Sequence, residues 1–278
     1  MSARRDLPWR ATRDPYAVLV SEVMLQQTQA ARVAPAWRAF LDRFTDVQAL
    51  ASAQLADVLT AWRGLGYNRR AVNLHRAARV LVEDHDGVVP DDLDALLALP
   101  GVGPYTARAV LAFAFDRDVA PVDTNVARVL ARAVAGRPLG RTEVQRLADE
   151  AVPSGRGHDW SQALMDLGAG VCTARAARCT HCPARALCAW RTAGGDDPAC
   201  TGALRPKPQG RFAGSDRYHR GRLVDALRRG AVDGGGLPAA ADLRDPPRLE
   251  RIVAAVIADG VAEWAGDHLR LPGGGEPG

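Results

Sequence analysis

Lysine is almost absent from this chain of 278 residues, in which Lys207 is the only one. A reaction that uses a lysine side chain as its nucleophile would therefore depend on that single residue. Aromatic residues make up only 5% of the sequence, so a core large enough for more than one domain must consist mainly of alanine, leucine and valine. No apolar run reaches the length of a membrane span, and the start of the chain lacks the apolar core of a signal peptide. We therefore expect a cytoplasmic protein without a membrane partner.

Arginine carries nearly all of the positive charge, and the chain has a net charge of +4 and a pI of about 9.0. Because a guanidinium group suits contacts with phosphates and base edges, this balance points towards nucleic acid. A GC-rich genome would also enrich a protein in alanine and arginine, so composition alone does not decide.

The hydrophobic spacing is typical of helices throughout residues 1–190, which we predict to form the core of the protein. Residues 191–212 are rich in glycine and proline and are predicted to be a linker. In residues 213–278, two predicted helices are followed by a predicted two-stranded wing around Gly266 and Asp267. This order indicates a small, basic, winged-helix-like α+β module.

A glycine-rich segment, Leu99–Gly103, joins two predicted helices. Gly101 and Gly103 permit a tight turn, with Val102 between them. The second helix directs its positive end and its free backbone N–H groups towards this turn, which makes the hairpin a ready site for a phosphate group. The hairpin can hold a nucleic-acid strand while a nearby side chain acts on it.

Two carboxylates are candidates for that chemistry. Glu22 lies in an apolar predicted helix, between Val20 and Val23, and such surroundings raise the pKa of a carboxyl group so that it keeps a proton to donate. Asp123 is at the start of a predicted helix, whose dipole favours its charged form. Cleavage of a glycosidic bond divides its work between two carboxyls in such different environments. The plainer interpretations are a solvated helix glutamate and a simple helix cap.

Four cysteines form a cluster with six, two and five residues between them: Cys172, Cys179, Cys182 and Cys188. Four thiolates on two short loops suit either a [4Fe–4S] cluster or a structural zinc ion, and the spacing alone does not choose between them. His181, inside the run, is predicted to be a surface residue, and Cys200 a bystander in the linker.

Six short motifs give the chain its resemblance to a known family. They are Leu7–Arg10, Ser21–Gln29, Gly64–Tyr67, Asn73–His75, Leu99–Tyr105 and Met165–Gly168. Together they span about residues 6–190 and resemble the helix-hairpin-helix DNA glycosylases of the endonuclease III superfamily, and within it the adenine DNA glycosylases.

The resemblance implies an all-α, two-lobed helix-hairpin-helix glycosylase fold, followed by the winged-helix-like module. Residues 15–116 would form a six-helix lobe that contains the hairpin. Residues 1–14 and 117–190 would form an iron–sulfur lobe, in which the four cysteines hold one [4Fe–4S] cluster.

The same resemblance assigns roles in catalysis. Glu22 would protonate a ring nitrogen of adenine and then activate water, and Asp123 would steady the oxocarbenium-like sugar. Tyr105 and Asn125 would form hydrogen bonds around the sugar and the carboxylates. Bifunctional members of the superfamily carry a lysine where this chain has Tyr105, so the resemblance implies a monofunctional enzyme that leaves an abasic site.

It also assigns residues to DNA. Gln27 and Tyr67 would wedge into the duplex near the opposing base, and Trp9 and Arg10 would line the pocket for the flipped base. The remaining DNA-binding residues implied by the motifs are Thr28, Gly101, Val102 and Gly103.

We therefore expect a monomeric, nucleoid-associated enzyme that removes adenine opposite 8-oxoguanine or guanine from mismatched double-stranded DNA. Thr124 stands where many adenine glycosylases have glycine, and the tail lacks the pattern of their 8-oxoguanine-sensing domain. A thymine or uracil mismatch glycosylase is therefore one alternative. The other is a non-catalytic, metal-bound DNA-binding regulator.

Overall fold

The computed structural model describes residues 5–200, apart from the side chain of Cys200, and residues 210–274. The chain divides into two compact units. Unit 1 consists of Met1–Leu19, Asp91–Leu97 and Val102–Pro208, and unit 2 of Val20–Pro90, Ala98–Gly101 and Gln209–Gly278. The C-terminal module thus groups with unit 2. The boundaries of a separate linker and module stay a prediction, and Lys207 lies outside the described residues.

Helices dominate the described residues, as the sequence predicts. They are α1 (Pro15–Leu25), α2 (Ala30–Arg43), α3 (Val47–Ser52), α4 (Leu55–Ala61), α5 (Arg69–Asp84), α6 (Leu93–Ala98), α7 (Pro104–Ala114), α8 (Thr124–Val129), α9 (Arg141–Glu150), α10 (Gly157–Gly170), α11 (Ala189–Ala193), α12 (Asp216–Leu227), α13 (Leu237–Ala241) and α14 (Pro246–Ala258). A 3₁₀ turn precedes α1 at Pro8–Ala11, and α8 continues into a π-helical turn at Leu130–Ala135. None of the helices in these described parts is long and apolar enough to cross a membrane.

Unit 2 packs α3 and α4 against α5 around large buried side chains, among them Phe40, Trp62 and Leu74. Residues 15–116 hold seven helices rather than the expected six. The short helix α3 is separate from its neighbours. It begins after Asp46, whose side chain accepts a hydrogen bond from Ala49 N at 2.7 Å, and it ends before α4 begins.

The hairpin between α6 and α7 is confirmed, with Gly101 at a φ of +79°. A Cβ atom on Gly101 would lie 2.7 Å from the Cβ of Asn73 on α5. Any residue other than glycine would therefore be strained in its backbone and would collide with α5.

The C-terminal module has the predicted winged-helix-like order. It contains α12, strand β1 (Val232–Asp233), α13, α14 and the hairpin of β2 (Glu263–Ala265) and β3 (His268–Arg270). The strands form an antiparallel sheet in the order β1-β3-β2, with Leu269 opposite both Val232 and Trp264. Strand β1 and helix α13 were not predicted from the sequence.

In unit 1, α10 packs against α7 and α8. The first described residues of the predicted linker are ordered by contacts with this unit, since Arg132 Nε donates to Asp197 Oδ1 at 2.8 Å. The linker sequence from 201 to 209 lies outside the described residues.

Candidate active site

Glu22 lies in the interior of α1, where its residue is only 3% exposed. Val20, Val23 and Met24 beside it are also buried. The helix begins at a cap, because Asp14 Oδ1 accepts the Tyr16 N–H at 3.1 Å. The structure therefore confirms that Glu22 and its apolar neighbours in the sequence are buried. Its catalytic role stays a prediction.

Asp123 is the N-cap of α8 and is half-buried. Its Oδ1 accepts the backbone N–H groups of Asn125 and Val126 at 2.8 and 2.7 Å, and its Oδ2 accepts Asn125 Nδ2 at 2.7 Å. The structure thus brings two predicted site residues, Asp123 and Asn125, into direct contact. These bonds fix the orientation of the carboxylate.

Arg128 extends this contact into the interior of unit 1. Its guanidinium donates to Asn125 Oδ1 at 2.8 Å, to the Gly168 carbonyl at 2.7 Å and to the Cys172 carbonyl at 2.8 Å. Burial lowers the pKa of Arg128, and the charge of Cys172 partly opposes that effect. Arg128 was not predicted from the sequence, although it lies five residues after Asp123, on the helix that Asp123 caps. It links the candidate carboxylate to the first of the four cysteines.

Gly168 allows α10 to approach α8 at this point. A Cβ atom there would lie 2.7 Å from the Cβ of Asn125 and 3.0 Å from its carbonyl oxygen. We expect Gly168→Ala to lower the free energy of unfolding by about 1–3 kcal/mol, because the backbones must separate. Chemical denaturation measures this change.

Gly170→Ala, in the same helix, is the matched control, because the added Cβ would have no atom of another part of the chain within 4 Å. It should leave stability unchanged or raise it by up to about 1 kcal/mol, because alanine favours a helix. Equal effects of the two substitutions would contradict the close approach at Gly168.

Tyr105 is half-buried in the first turn of α7, directly after Pro104. It belongs to unit 1, as do Asp123 and Asn125, whereas Glu22 belongs to unit 2. The expectation that the two carboxylates act on one substrate therefore stays a prediction.

Gln27 and Tyr67, the predicted wedge residues, are both exposed and both have a left-handed backbone. Their φ angles are +58° and +47°, which are uncommon for residues other than glycine. Such a conformation persists where the surrounding structure imposes it, and this is frequent at functional sites.

Arg70, which was not predicted from the sequence either, holds both of these loops. It is buried, and burial lowers its pKa to about 10 although the charge of Tyr67 raises it. Nη1 donates to the carbonyls of Val23, Met24 and Gln26 at 3.0, 2.7 and 2.6 Å. Nη2 donates to Thr28 Oγ1, the Leu65 carbonyl and the Gly66 carbonyl at 3.0, 3.2 and 3.0 Å. One guanidinium therefore fixes the end of α1, the Gln27 loop and the Tyr67 loop; Thr28, predicted to bind DNA, is one of its partners.

Trp9 and Arg10 lie in the 3₁₀ turn before α1, and both side chains are largely enclosed. Arg10 forms two hydrogen bonds with Asp166 of α10, at 2.8 and 2.9 Å, and Arg5 adds a third at 2.7 Å. Burial alone would raise the pKa of Asp166, but the hydrogen bonds from Arg10 and Arg5 outweigh it and lower that pKa. Arg10 therefore anchors the N-terminal segment to α10, and its role in a base pocket stays a prediction.

The four cysteines line a single recess of about 420 Å³, a volume that includes open solvent. No three described His, Cys, Asp or Glu side chains are arranged to hold one metal ion. Burial raises the pKa of Cys182, a hydrogen bond with the backbone of Ala184 lowers it, and the other three cysteines raise it further through their charges. The four sulfur groups are thus close enough to influence one another electrostatically.

Arg132 closes one side of the recess. It donates to the Thr173 carbonyl at 2.8 Å and lies 3.4 Å from Cys172 Sγ, and its guanidinium stacks 5.3 Å from the ring centre of Trp190. Hydrogen bonds with Asp197 raise its pKa above the usual value. A fixed positive charge beside cysteine sulfur atoms favours their thiolate form.

The chain is similar to known DNA repair proteins in sequence. Residues 20–154 match the family described as HhH-GPD superfamily base excision DNA repair protein. An adenine DNA glycosylase of Mycolicibacterium smegmatis is 45% identical over 284 residues, covering 99% of this chain and 94% of that protein.

Two solved structures share the fold of the core. A thermostable thymine-DNA glycosylase has a TM-score of 0.63 at 33% identity, covering 68% of this chain and 90% of its own. A trapped covalent intermediate of endonuclease III with DNA has a TM-score of 0.59 at 25% identity, covering 66% of this chain and 86% of its own. The near-complete match with the mycobacterial relative and the shared helix-hairpin-helix core place this chain in the adenine DNA glycosylase family of the HhH-GPD superfamily.

Proposed function

We propose that this protein is a monofunctional DNA glycosylase that releases adenine opposite 8-oxoguanine or guanine in double-stranded DNA. The observation that carries the proposal is the contrast between its two candidate carboxylates. Glu22 is buried, with 3% of the residue exposed, whereas Asp123 is half-buried and is held by two backbone N–H groups and an amide. Environments that differ in this way suit one group that donates a proton and one that carries a negative charge.

The reaction begins once the adenine has left the base stack, since its ring cannot be reached inside the duplex. Glu22 gives its proton to a ring nitrogen, and the electron pair of the glycosidic bond leaves with the neutral base. The negative charge of Asp123 stabilises the positive sugar that remains. Glu22, now a carboxylate, takes a proton from water while the water oxygen bonds to the sugar carbon, which yields an abasic site.

Release of the base without strand cleavage follows from the residues at the site. A lyase that works through a Schiff base needs an amine. The resemblance to the superfamily puts Tyr105 where its bifunctional members carry a lysine. Tyr105 and Asn125 instead orient the sugar and the carboxylate, and Arg128 holds Asn125 in place.

A thymine or uracil mismatch glycosylase is the second candidate, because the thymine-DNA glycosylase structure shares the core fold at 33% identity. Base release from duplexes with adenine opposite 8-oxoguanine, adenine opposite guanine, thymine opposite guanine and uracil opposite guanine separates the two. We expect release only from the adenine duplexes, with no covalent adduct after borohydride treatment. If the protein released only thymine or uracil, the mismatch glycosylase would replace the adenine glycosylase as the function that the results support.

We also propose that the four cysteines hold one [4Fe–4S] cluster. All four line one recess, and Arg132 supplies a positive charge beside Cys172. When bound, such a cluster would fasten the cysteine segment, whose Cys172 carbonyl binds Arg128.

The cluster proposal predicts a brown protein with about four iron atoms per chain when it is purified without oxygen. Cys182→Ser should lose most of the iron and of the visible absorption, whereas Cys200→Ser should retain both. Metal analysis and absorption spectra measure the outcome. A colourless protein with one zinc ion per chain would refute the proposal.

A further inference from the structure

The C-terminal module is fixed to the helices of unit 2 through a buried arginine. Arg228, at the end of α12, donates from Nε to the Leu59 carbonyl at 3.0 Å and from Nη2 to Asn68 Oδ1 at 2.8 Å. Leu59 belongs to α4, and Asn68 precedes α5 and directly follows Tyr67. Burial lowers the pKa of Arg228, although a hydrogen bond with Asp225 opposes this.

Two further contacts hold the module in the same place. Gly260 has a φ of +69°, and a Cβ atom there would lie 3.0 Å from Arg76 Nη2 and 3.3 Å from Val72 Cγ1 on α5. The Ala56 N–H donates to the Pro272 carbonyl at 3.0 Å. The module therefore has a defined position beside α4 and α5.

This position brings the start of α12 to Tyr67. Arg217 Nη1 lies 3.5 Å from the Tyr67 hydroxyl, Nη2 donates to the Gly210 carbonyl at 3.0 Å, and the guanidinium carbon is 6.0 Å from the ring centre of Phe212. Tyr67 is 39% exposed and Phe212 is 59% exposed. We call Tyr67, Phe212 and Arg217 the Tyr67 patch.

We propose that the Tyr67 patch is a DNA-binding surface in which Arg217 of the C-terminal module contacts a phosphate of the duplex beside Tyr67. The choice of DNA as the partner rests on the proposed function, because it makes Tyr67 a wedge at the opposing base. Arginine side chains bind the phosphate backbone of nucleic acids, and exposed aromatic rings stack on the faces of the bases. The neighbouring acidic residue, Asp216, faces Arg248 and Arg251 at 2.7 and 3.8 Å, which offset its charge.

The test measures the affinity of Arg217→Ala for a labelled DNA duplex. The duplex carries a tetrahydrofuran abasic analogue opposite guanine, and this analogue cannot react. At about 0.1 M salt we expect a five- to tenfold rise in Kd, and a slope of log K against log salt smaller by about one. Arg217→Lys should retain the slope, because it keeps the charge. A thermal melt matching that of the unaltered protein shows that the variants are folded.

Arg79→Ala is the matched control. Arg79 is an exposed arginine on α5, and its neighbour is Glu83 at 3.7 Å. It lies about 15 Å along the helix from Arg69, the first residue of α5 and the second after Tyr67. This variant should bind within twofold of the unaltered protein, with the same salt slope.

Two results would overturn the proposal. One is unchanged affinity and slope in Arg217→Ala. The other is an equal loss in Tyr67→Phe with no change of slope in either variant, since Arg217 would then act only by holding the tyrosine. Failure of the proposed function is a separate result: the unaltered protein would release no adenine, while loss of binding in Arg217→Ala would still support the patch.

Discussion

Replacing Glu22 by glutamine is expected to slow adenine release by about 10³- to 10⁴-fold, at the upper end of what a general acid and base contributes. The residue would lose both of its proposed tasks, because an amide neither gives up a proton to adenine nor takes one from water. Glutamine has nearly the same shape, so the buried position in α1 should accept it with little loss of packing. Single-turnover release of adenine with excess enzyme measures the effect.

Duplex binding by the same Glu22→Gln variant should change little, since Glu22 is enclosed in α1 rather than part of an exposed basic surface. Glu83→Gln makes the same change on an exposed side chain of α5 and should keep full activity. Retained adenine release in Glu22→Gln would refute the mechanism. A regulator that only binds DNA would release no base with or without the substitution.

Asp123→Asn should reduce adenine release by about 10²- to 10³-fold, as expected when one electrostatic contribution to the transition state is removed. Asparagine is also a good N-cap, so its amide oxygen can still accept the N–H groups of Asn125 and Val126. The second carboxylate oxygen, which accepts Asn125 Nδ2, becomes a donor, and we expect this to cost about 1 kcal/mol of stability. Activity and stability therefore separate: activity falls steeply while the fold remains.

Asp46→Asn is the control for this change, because Asp46 caps α3 through the Ala49 N–H at 2.7 Å and has no proposed role in catalysis. Single-turnover rates and chemical denaturation of both variants give the comparison. If Asp123→Asn kept its rate and lost only as much stability as Asp46→Asn, then Asp123 would be a cap and nothing more.

Helix periodicity and capping predicted much of the fold. The spacing of apolar residues predicted helices across residues 1–190, where the structure has α1 to α10, and Asp123, predicted to stand at the start of a helix, is the N-cap of α8. The glycine-rich hairpin and the wing at Gly266 were likewise visible as turn signals. Strand β1, with two residues, is too short to show a period of its own and forms only because Leu269 lies opposite Val232.

The roles of the arginines were the feature that the sequence predicted least completely. Its abundance suggested phosphate contacts, yet Arg70, Arg128, Arg132 and Arg228 direct their guanidinium groups at carbonyl oxygens inside the protein. Their partners come from distant parts of the chain, as with Arg228 and Leu59, so no local pattern distinguishes them from surface arginines. A residue such as Arg70 becomes recognisable only when the loops that it joins are seen together.

The position of Arg228 also limits how this protein can change during evolution. A terminal domain on a loose tether can be exchanged freely, because the rest of the chain does not depend on it. Here the tail supplies the donor for the Leu59 carbonyl and the Asn68 amide oxygen, and Gly260 fits closely over Val72. A foreign domain could be grafted at this point only together with compensating replacements along residues 54–76.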